Sequence, residues 1–182
     1  MNGNILMNKL GIEDQKMLDD AETILLSDSY THFFELLEKE ELTFNLSLLF
    51  QIHKFFLGTL YSWAGKIRTV DISKDDMLFA PVEHIKYSLD EFEKILAGHT
   101  PVITNEKKVI VQKLACVHNE FNAVHPFREG NGRTIRLFLD LLAVNVGYDP
   151  IDWNKKDHWS YIEACKKGMI QEHSAMEKIM SA

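Results

Sequence analysis

Residues 125–136 read His-Pro-Phe-Arg-Glu-Gly-Asn-Gly-Arg-Thr-Ile-Arg, and nowhere else do twelve residues gather a base, a carboxylate, paired glycines and two arginines. Such a set suits phosphate chemistry. His125 is the group whose ordinary pKa, about 6.5, suits taking a proton near neutral pH. Gly130, Asn131 and Gly132 allow a tight turn. If a helix starts there, its unpaired first-turn N–H groups and positive dipole end make an anion site. Arg133 and Arg136, three apart, share a helix face and can reach one polyphosphate from the same side. Glu129 stands just before the glycines, and a single carboxylate beside bound phosphates is a common way to hold Mg2+.

Each of these residues also has an ordinary reading. A histidine at a helix end can be a C-cap or a dipole partner. Arg136 lies four residues before Asp140, the spacing of a helix-surface ion pair. Gly-Asn-Gly alone is a turn. Their concentration in one loop is what favours chemistry. Two other nucleotide motifs are excluded: a P-loop needs a different glycine spacing and a lysine, and a dinucleotide fingerprint needs a third glycine where Ile135 stands and a strand before it.

The elements that must position this loop are helices. Ile110, Leu114, Val117, Phe121 and Val124 recur at three-to-four spacing, so a helix over 105–124 delivers His125 at its C-terminal end, and Pro126 stops it. Residues 137–144 are apolar on nearly every side, as a helix buried in the middle of a domain requires. His118 lies about 10.5 Å along the axis from His125, too far for both to ligate one metal, and is read as packed or capping.

Upstream, the spacing predicts a helix over 12–26, a break and N-cap at Ser27-Asp28-Ser29, and a further helix carrying Phe33, Phe34, Leu36 and Leu37. A stronger helix over 44–61 puts His53 and Lys54 outward and runs on to Gly65. Ile67, Thr69, Val70 and Ile72 favour extended backbone, predicting a hairpin with arms 67–72 and 77–80 and a polar tip at Ser73, Lys74, Asp75 and Asp76. Helices follow over 81–97, 153–169 and 173–180. Trp153, Trp159 and Tyr161 could line an adenine pocket, although core is the commoner place for such aromatics.

The chain has 182 residues, 46% hydrophobic and 26% charged, which suits one domain with a real core. A formal charge of -7 without any run of Lys or Arg argues against nucleic acid and acidic lipid as partners. Cys116 and Cys165, each inside an expected helix, point to a reducing compartment, and no apolar run approaches a membrane span. A cytoplasmic setting is the expectation.

Residues 125–136 match, without a departure, the signature His-x-Phe-x-Asp/Glu-Gly-Asn-Gly-Arg-x-x-Arg, so the chain resembles the Fic family. The likeness extends to 52–68 and through Ala80, covering roughly 45–170. It implies a mostly α Fic fold: one domain over 1–182, a core at about 45–170, an N-terminal helical extension over 12–43 and a small β-hairpin flap. It also implies protein AMPylation, the transfer of AMP from ATP to a Ser, Thr or Tyr hydroxyl of a target protein. Carried over by position, His125 is the base and Glu129 the Mg2+ ligand. Gly130, Asn131, Gly132, Arg133 and Arg136 bind the nucleotide, and Phe127 anchors the loop. Ser73, Lys74, Asp75, Asp76, Met77, Leu78 and Phe79 form a flap that aligns the target by strand addition. A lysine replaces Gly132 in relatives that run phosphoryl transfer in the opposite nucleotide sense.

Another nucleotide donor, removal of AMP, or a non-catalytic nucleotide-binding module remain alternatives. Small Fic toxins with a leading segment similar to residues 10–15 belong to toxin–antitoxin pairs, and topoisomerases such as gyrase are targets within that group. Many Fic proteins are restrained by Ser/Thr-x-x-x-Glu-Gly/Asn, whose glutamate pairs with the second arginine, here Arg136. Only Thr31 and Glu35 approach that pattern, and Leu36 follows where Gly or Asn belongs. The expectation is therefore a separate antitoxin that supplies the glutamate in trans.

Overall fold

A computed structural model describes residues 5–74, 76–100, 104, 106–155 and 157–181. Seven helices and one short hairpin follow in order among these residues: α1 Gln15–Glu38, α2 Leu46–Leu57, β1 Ser73–Lys74, β2 Met77–Leu78, α3 Ile85–His99, α4 Lys107–Val124, α5 Asn131–Asn145, α6 His158–Gly168 and α7 Ser174–Met180. The mostly helical expectation with a small hairpin holds.

α5 runs through the interior. Leu137, Phe138, Leu139 and Leu141 are each fully buried, a burial that stabilises by about 1.5–3 kcal/mol per side chain. α4 packs against it and also against α3, α6 and α7. Because α4 and α5 are both fixed in the core, the loop between them is held at both ends.

Three helices differ from the sequence reading. α1 does not break at residues 27–29: Ser29 is buried and its hydroxyl donates to the Leu25 carbonyl at 2.7 Å, while Thr31 bonds back to Ser27. Those hydroxyls satisfy themselves within the helix, so the stretch that resembles a cap continues the turn. α1 starts at Gln15 because the Asp14 side chain accepts from the Met17 N–H. α2 ends at Leu57, well before Gly65. The helix expected over 153–169 also starts later: the Asp140 carboxylate accepts from the Ile151 N–H and the Trp153 indole, and α6 begins after its Asp157 cap.

The hairpin is shorter than predicted. Ser73 pairs with Leu78 and Lys74 with Met77, so two residues assigned to the tip are paired. Asp76 adopts φ 64, a left-handed conformation that Asp tolerates in such a turn. Residues 67–72 do not pair as a strand because their polar groups are used elsewhere: Arg68 turns inward, and the Asp71 carboxylate accepts from the Val82 N–H at 2.8 Å.

Candidate active site

His125 caps α4 in a left-handed conformation, φ 48, which costs a non-glycine residue about 1–2 kcal/mol. Its surroundings hold it there. The backbone N–H bonds to Phe121 at 2.9 Å, the carbonyl accepts from Arg68 Nε at 2.9 Å, and the ring stacks on Phe79 with centroids 3.7 Å apart. Nδ1 lies 3.2 Å from the Asn122 carbonyl, so Nδ1 carries the proton and Nε2 keeps its lone pair, without a partner among the described residues. Burial pushes the imidazole down to about 4, aided by the charges of Arg68 and Lys74. It is therefore neutral near pH 7.

The loop is fastened by Phe127 and Asn131. Phe127 is fully buried and stacks face to face on His53 at 3.7 Å, with Phe50 edge-on at 5.0 Å. The Asn131 side chain accepts from the Phe127 N–H at 2.8 Å and donates to its carbonyl at 2.7 Å. Both ends of that amide are thus used in holding the loop. Gly130 is required twice over, by φ 83 and by Leu57 Cδ1, which would lie 2.7 Å from a Cβ. A Cβ on Gly132 would meet nothing within 4 Å. The fold does not need that glycine, and the space beside it is open to a ligand.

Glu129 is half-exposed. One carboxylate oxygen accepts from the Gly130 N–H at 2.8 Å and lies 3.5 Å from Arg133. The arginines differ. Arg133 donates to Glu22 of α1 at 2.6 Å and its guanidinium covers the Phe56 ring at 4.9 Å. Arg136 has no carboxylate partner among the described residues and lies 5.6 Å from the Tyr161 ring centroid. The Arg136–Asp140 pair that the spacing allows is not formed, because Asp140 is occupied by Tyr30, Ile151 and Trp153. Tyr161 thus lies beside the motif, Trp153 is half-buried, and Trp159 is exposed.

The flap stands over His125. Met77 and Phe79 are buried, Ser73, Lys74, Asp76 and Leu78 are exposed, and Asp75 lies outside the described residues. Arg68, 4% exposed, ties the flap to the loop: besides His125, its guanidinium donates to the carbonyls of Val70 and Ala80. Burial lowers the Arg68 pKa, against the pull of Asp71.

Sequence reasoning misplaced His53 and passed over Arg68, Glu22 and Tyr61. His53 does not face outward. It is fully buried, its Nε2–H donating to the Glu129 carbonyl at 2.9 Å and its Nδ1 accepting from the Gly65 N–H at 2.8 Å. Glu22 carried a readable signal, since it stands four residues after Leu18 on the buried side of α1. Tyr61 completes that cluster with a 2.6 Å bond to Glu22. A cavity of about 280 Å3 flanks it, lined by Leu18, Glu22, Tyr61, Glu129 and Arg133 among others. A larger one, about 450 Å3 between Phe44, Leu96 and Leu142, touches none of the loop residues.

Comparison with known proteins gives the same picture. The Fic/DOC family profile matches residues 43–143. Protein adenylyltransferase VbhT of Bartonella schoenbuchensis is 34% identical over 180 residues, covering 98% of this chain but 36% of that protein. Probable protein adenylyltransferase Fic of Escherichia coli is 28% identical over 181 residues, covering 98% of this chain and 86% of the relative. The chain thus spans little more than a third of the first relative and most of the second. Among solved structures, the N-terminal FIC domain of the Bep8 effector from Bartonella sp. 1-1C superposes with a TM-score of 0.82 at 24% identity, covering 98% and 90% of the two chains.

Proposed function

The chain belongs to the Fic/DOC family, and from that premise we propose that it is a protein adenylyltransferase, moving AMP from ATP to a side-chain hydroxyl of a target protein. The observation that carries this reading is a neutral imidazole with one nitrogen unpartnered among the described residues, set in the same stretch as a helix N-terminus without a side-chain cap and an arginine that no described carboxylate pairs. The target oxygen attacks the α-phosphorus, its proton passes to His125 Nε2, and the bond from the α-phosphorus to pyrophosphate breaks. The Asn122 carbonyl keeps the imidazole in the tautomer that can accept.

The first-turn N–H groups of α5 bind phosphate beside the open space at Gly132. Arg136 reaches the β- and γ-phosphates. Arg133 enters the site already paired with Glu22 and carries the smaller share. Glu129 fits Mg2+, with one hard carboxylate at the edge of the phosphate site, and a bound ion would neutralise the polyphosphate there. The edge of the hairpin, where Ser73, Lys74 and Leu78 are exposed, takes an extended target segment as an added strand, while Arg68 and Phe79 keep it over His125.

Restraint, in this reading, comes in trans. Glu35 is exposed and makes no ion pair with Arg136 among the described residues, so Arg136 is left for the glutamate of an antitoxin. Labelled ATP is added to a bacterial lysate with the wild-type chain, His125→Ala, or Glu129→Ala over a Mg2+ series. One labelled band that vanishes with His125→Ala, and a changed Mg2+ dependence with Glu129→Ala, support the roles. Unchanged labelling by His125→Ala at native fold overturns the mechanism. A large rise in autolabelling on Glu35→Gly would show that restraint is internal.

A further inference from the structure

Away from the nucleotide loop, α4 presents Cys116 and Glu120 four residues apart, and His173 stands immediately before α7 against the same face. One donor atom from each lies within 4.8 Å of the other two. We propose that Cys116, Glu120 and His173 bind a single Zn2+ ion, completed by water, that staples α7 to α4.

The donor set selects the metal. Thiolate and imidazole suit zinc, whereas Mg2+ and Ca2+ take oxygen ligands almost exclusively. Zinc bonds of about 2.0–2.3 Å place tetrahedral donors about 3.3–3.8 Å apart. His173 Nε2 and Glu120 are already 4.0 Å apart, so small side-chain adjustments close the site.

Glu120 supplies the electrostatic reason. Its side chain is only 16% exposed, yet it has no Lys or Arg partner among the described residues. Its neighbours are Gln171, at 3.0 Å, and His173. A carboxylate withdrawn from water without a counter-charge is costly, and a divalent cation offsets that cost.

Asn119 supplies the outer support. Its side-chain nitrogen lies 2.9 Å from His173 Nδ1 and its oxygen 3.2 Å from His118 Nδ1, leaving His173 Nε2 toward Glu120. A turned amide gives His173 Nδ1–H a carbonyl acceptor, the usual second contact of a metal-bound imidazole. Gly168 makes room for this amide, since a Cβ there would collide with it. On binding, the Cys116 thiol loses its proton to solvent and a sulfur–zinc bond forms, with no change of oxidation state.

The test uses the whole chain stripped with a chelator. Zn2+ is titrated against a colorimetric competitor, and Cys116 is alkylated with and without Zn2+ and read by peptide mass spectrometry. The expected result is one Zn2+ per chain with Cys116 protected. Cys116→Ser and His173→Ala should each weaken binding by more than the ~10–100-fold that follows loss of an outer contact. Co2+ should add a sulfur-to-metal charge-transfer band, absent in Cys116→Ser. Equal alkylation of Cys116 with and without Zn2+ overturns the proposal. So does a Cys116→Ser chain of unchanged affinity. The alkylation result uses wild type alone, so it decides even if a variant fails to fold.

Discussion

His53 and His125 have nearly the same physical environment and opposite uses. Each stacks on a phenylalanine with ring centroids 3.7 Å apart, and burial pushes each down to about 4. The difference lies in their nitrogens. Both of His53 are bonded, to Glu129 and Gly65, whereas His125 spends one on Asn122 and keeps the other. A depressed histidine pKa alone therefore does not mark a reagent; an unspent lone pair beside open space does.

The sharpest separation comes from alanine at each position. His125→Ala should lower target labelling by ~10²–10⁴-fold, the usual share of a general base. Its melting temperature and ATP affinity should change little. Binding by equilibrium dialysis, beside single-turnover labelling, checks this split. A parallel loss of affinity and rate would place His125 in nucleotide binding.

His53→Ala should act through stability. It strands the Gly65 N–H and the Glu129 carbonyl and leaves Phe127 without its stacking partner, a cost of about 2–5 kcal/mol by analogy with broken buried networks. Urea unfolding measures it. A melt unchanged within about 0.5 kcal/mol would mean that His53 is not the scaffold of the loop.

These two histidines also show what the sequence could carry. The reagent was legible because its partners are local: Glu129, the glycines and both arginines fall within twelve residues of His125. The scaffold was not, because His53 contacts residue 129 across 76 positions and Arg68 contacts residue 125 across 57. Apolar periodicity assigned α2 its buried face from leucines and phenylalanines and left a histidine to solvent. Only the imidazole's two long-range bonds overrule that. The same limit hid the flap's true extent, since Arg68 turns inward to the carbonyls of His125, Val70 and Ala80.

Acid should also separate the two roles. The unfolded chain takes up protons on His53, His118 and His125 near 6.5, while the folded chain resists until about 4. Between those values unfolding binds protons, so stability falls as pH drops through 6.5 and keeps falling toward 4, by up to about 1.4 kcal/mol per proton per pH unit. Asp140, raised by burial, opposes this in the carboxylate range. Labelling by molecules still folded should persist well below 6.5, because His125 stays neutral there. Urea midpoints at pH 7 and 5 that coincide would contradict the first expectation, and a labelling limb at 6.5 the second.

The smallest expected effect repeats the contrast within the glycine pair. Gly130 is scaffold: with φ 83 and Leu57 2.7 Å from any added Cβ, Gly130→Ala should strain the loop. Gly132 has neither constraint, and at the second position of α5 it forgoes part of the about 0.8–1 kcal/mol that separates glycine from alanine in a helix interior. Gly132→Ala should therefore raise the melting temperature by up to about 2–4 °C. The added methyl group stands beside the N–H groups assigned to phosphate, so ATP affinity should fall while the fold gains. A stabilised variant that binds ATP as the wild type does would show that phosphate docks elsewhere. A variant that loses stability would show that Gly132 serves the fold, and the distinction between the two glycines would fail.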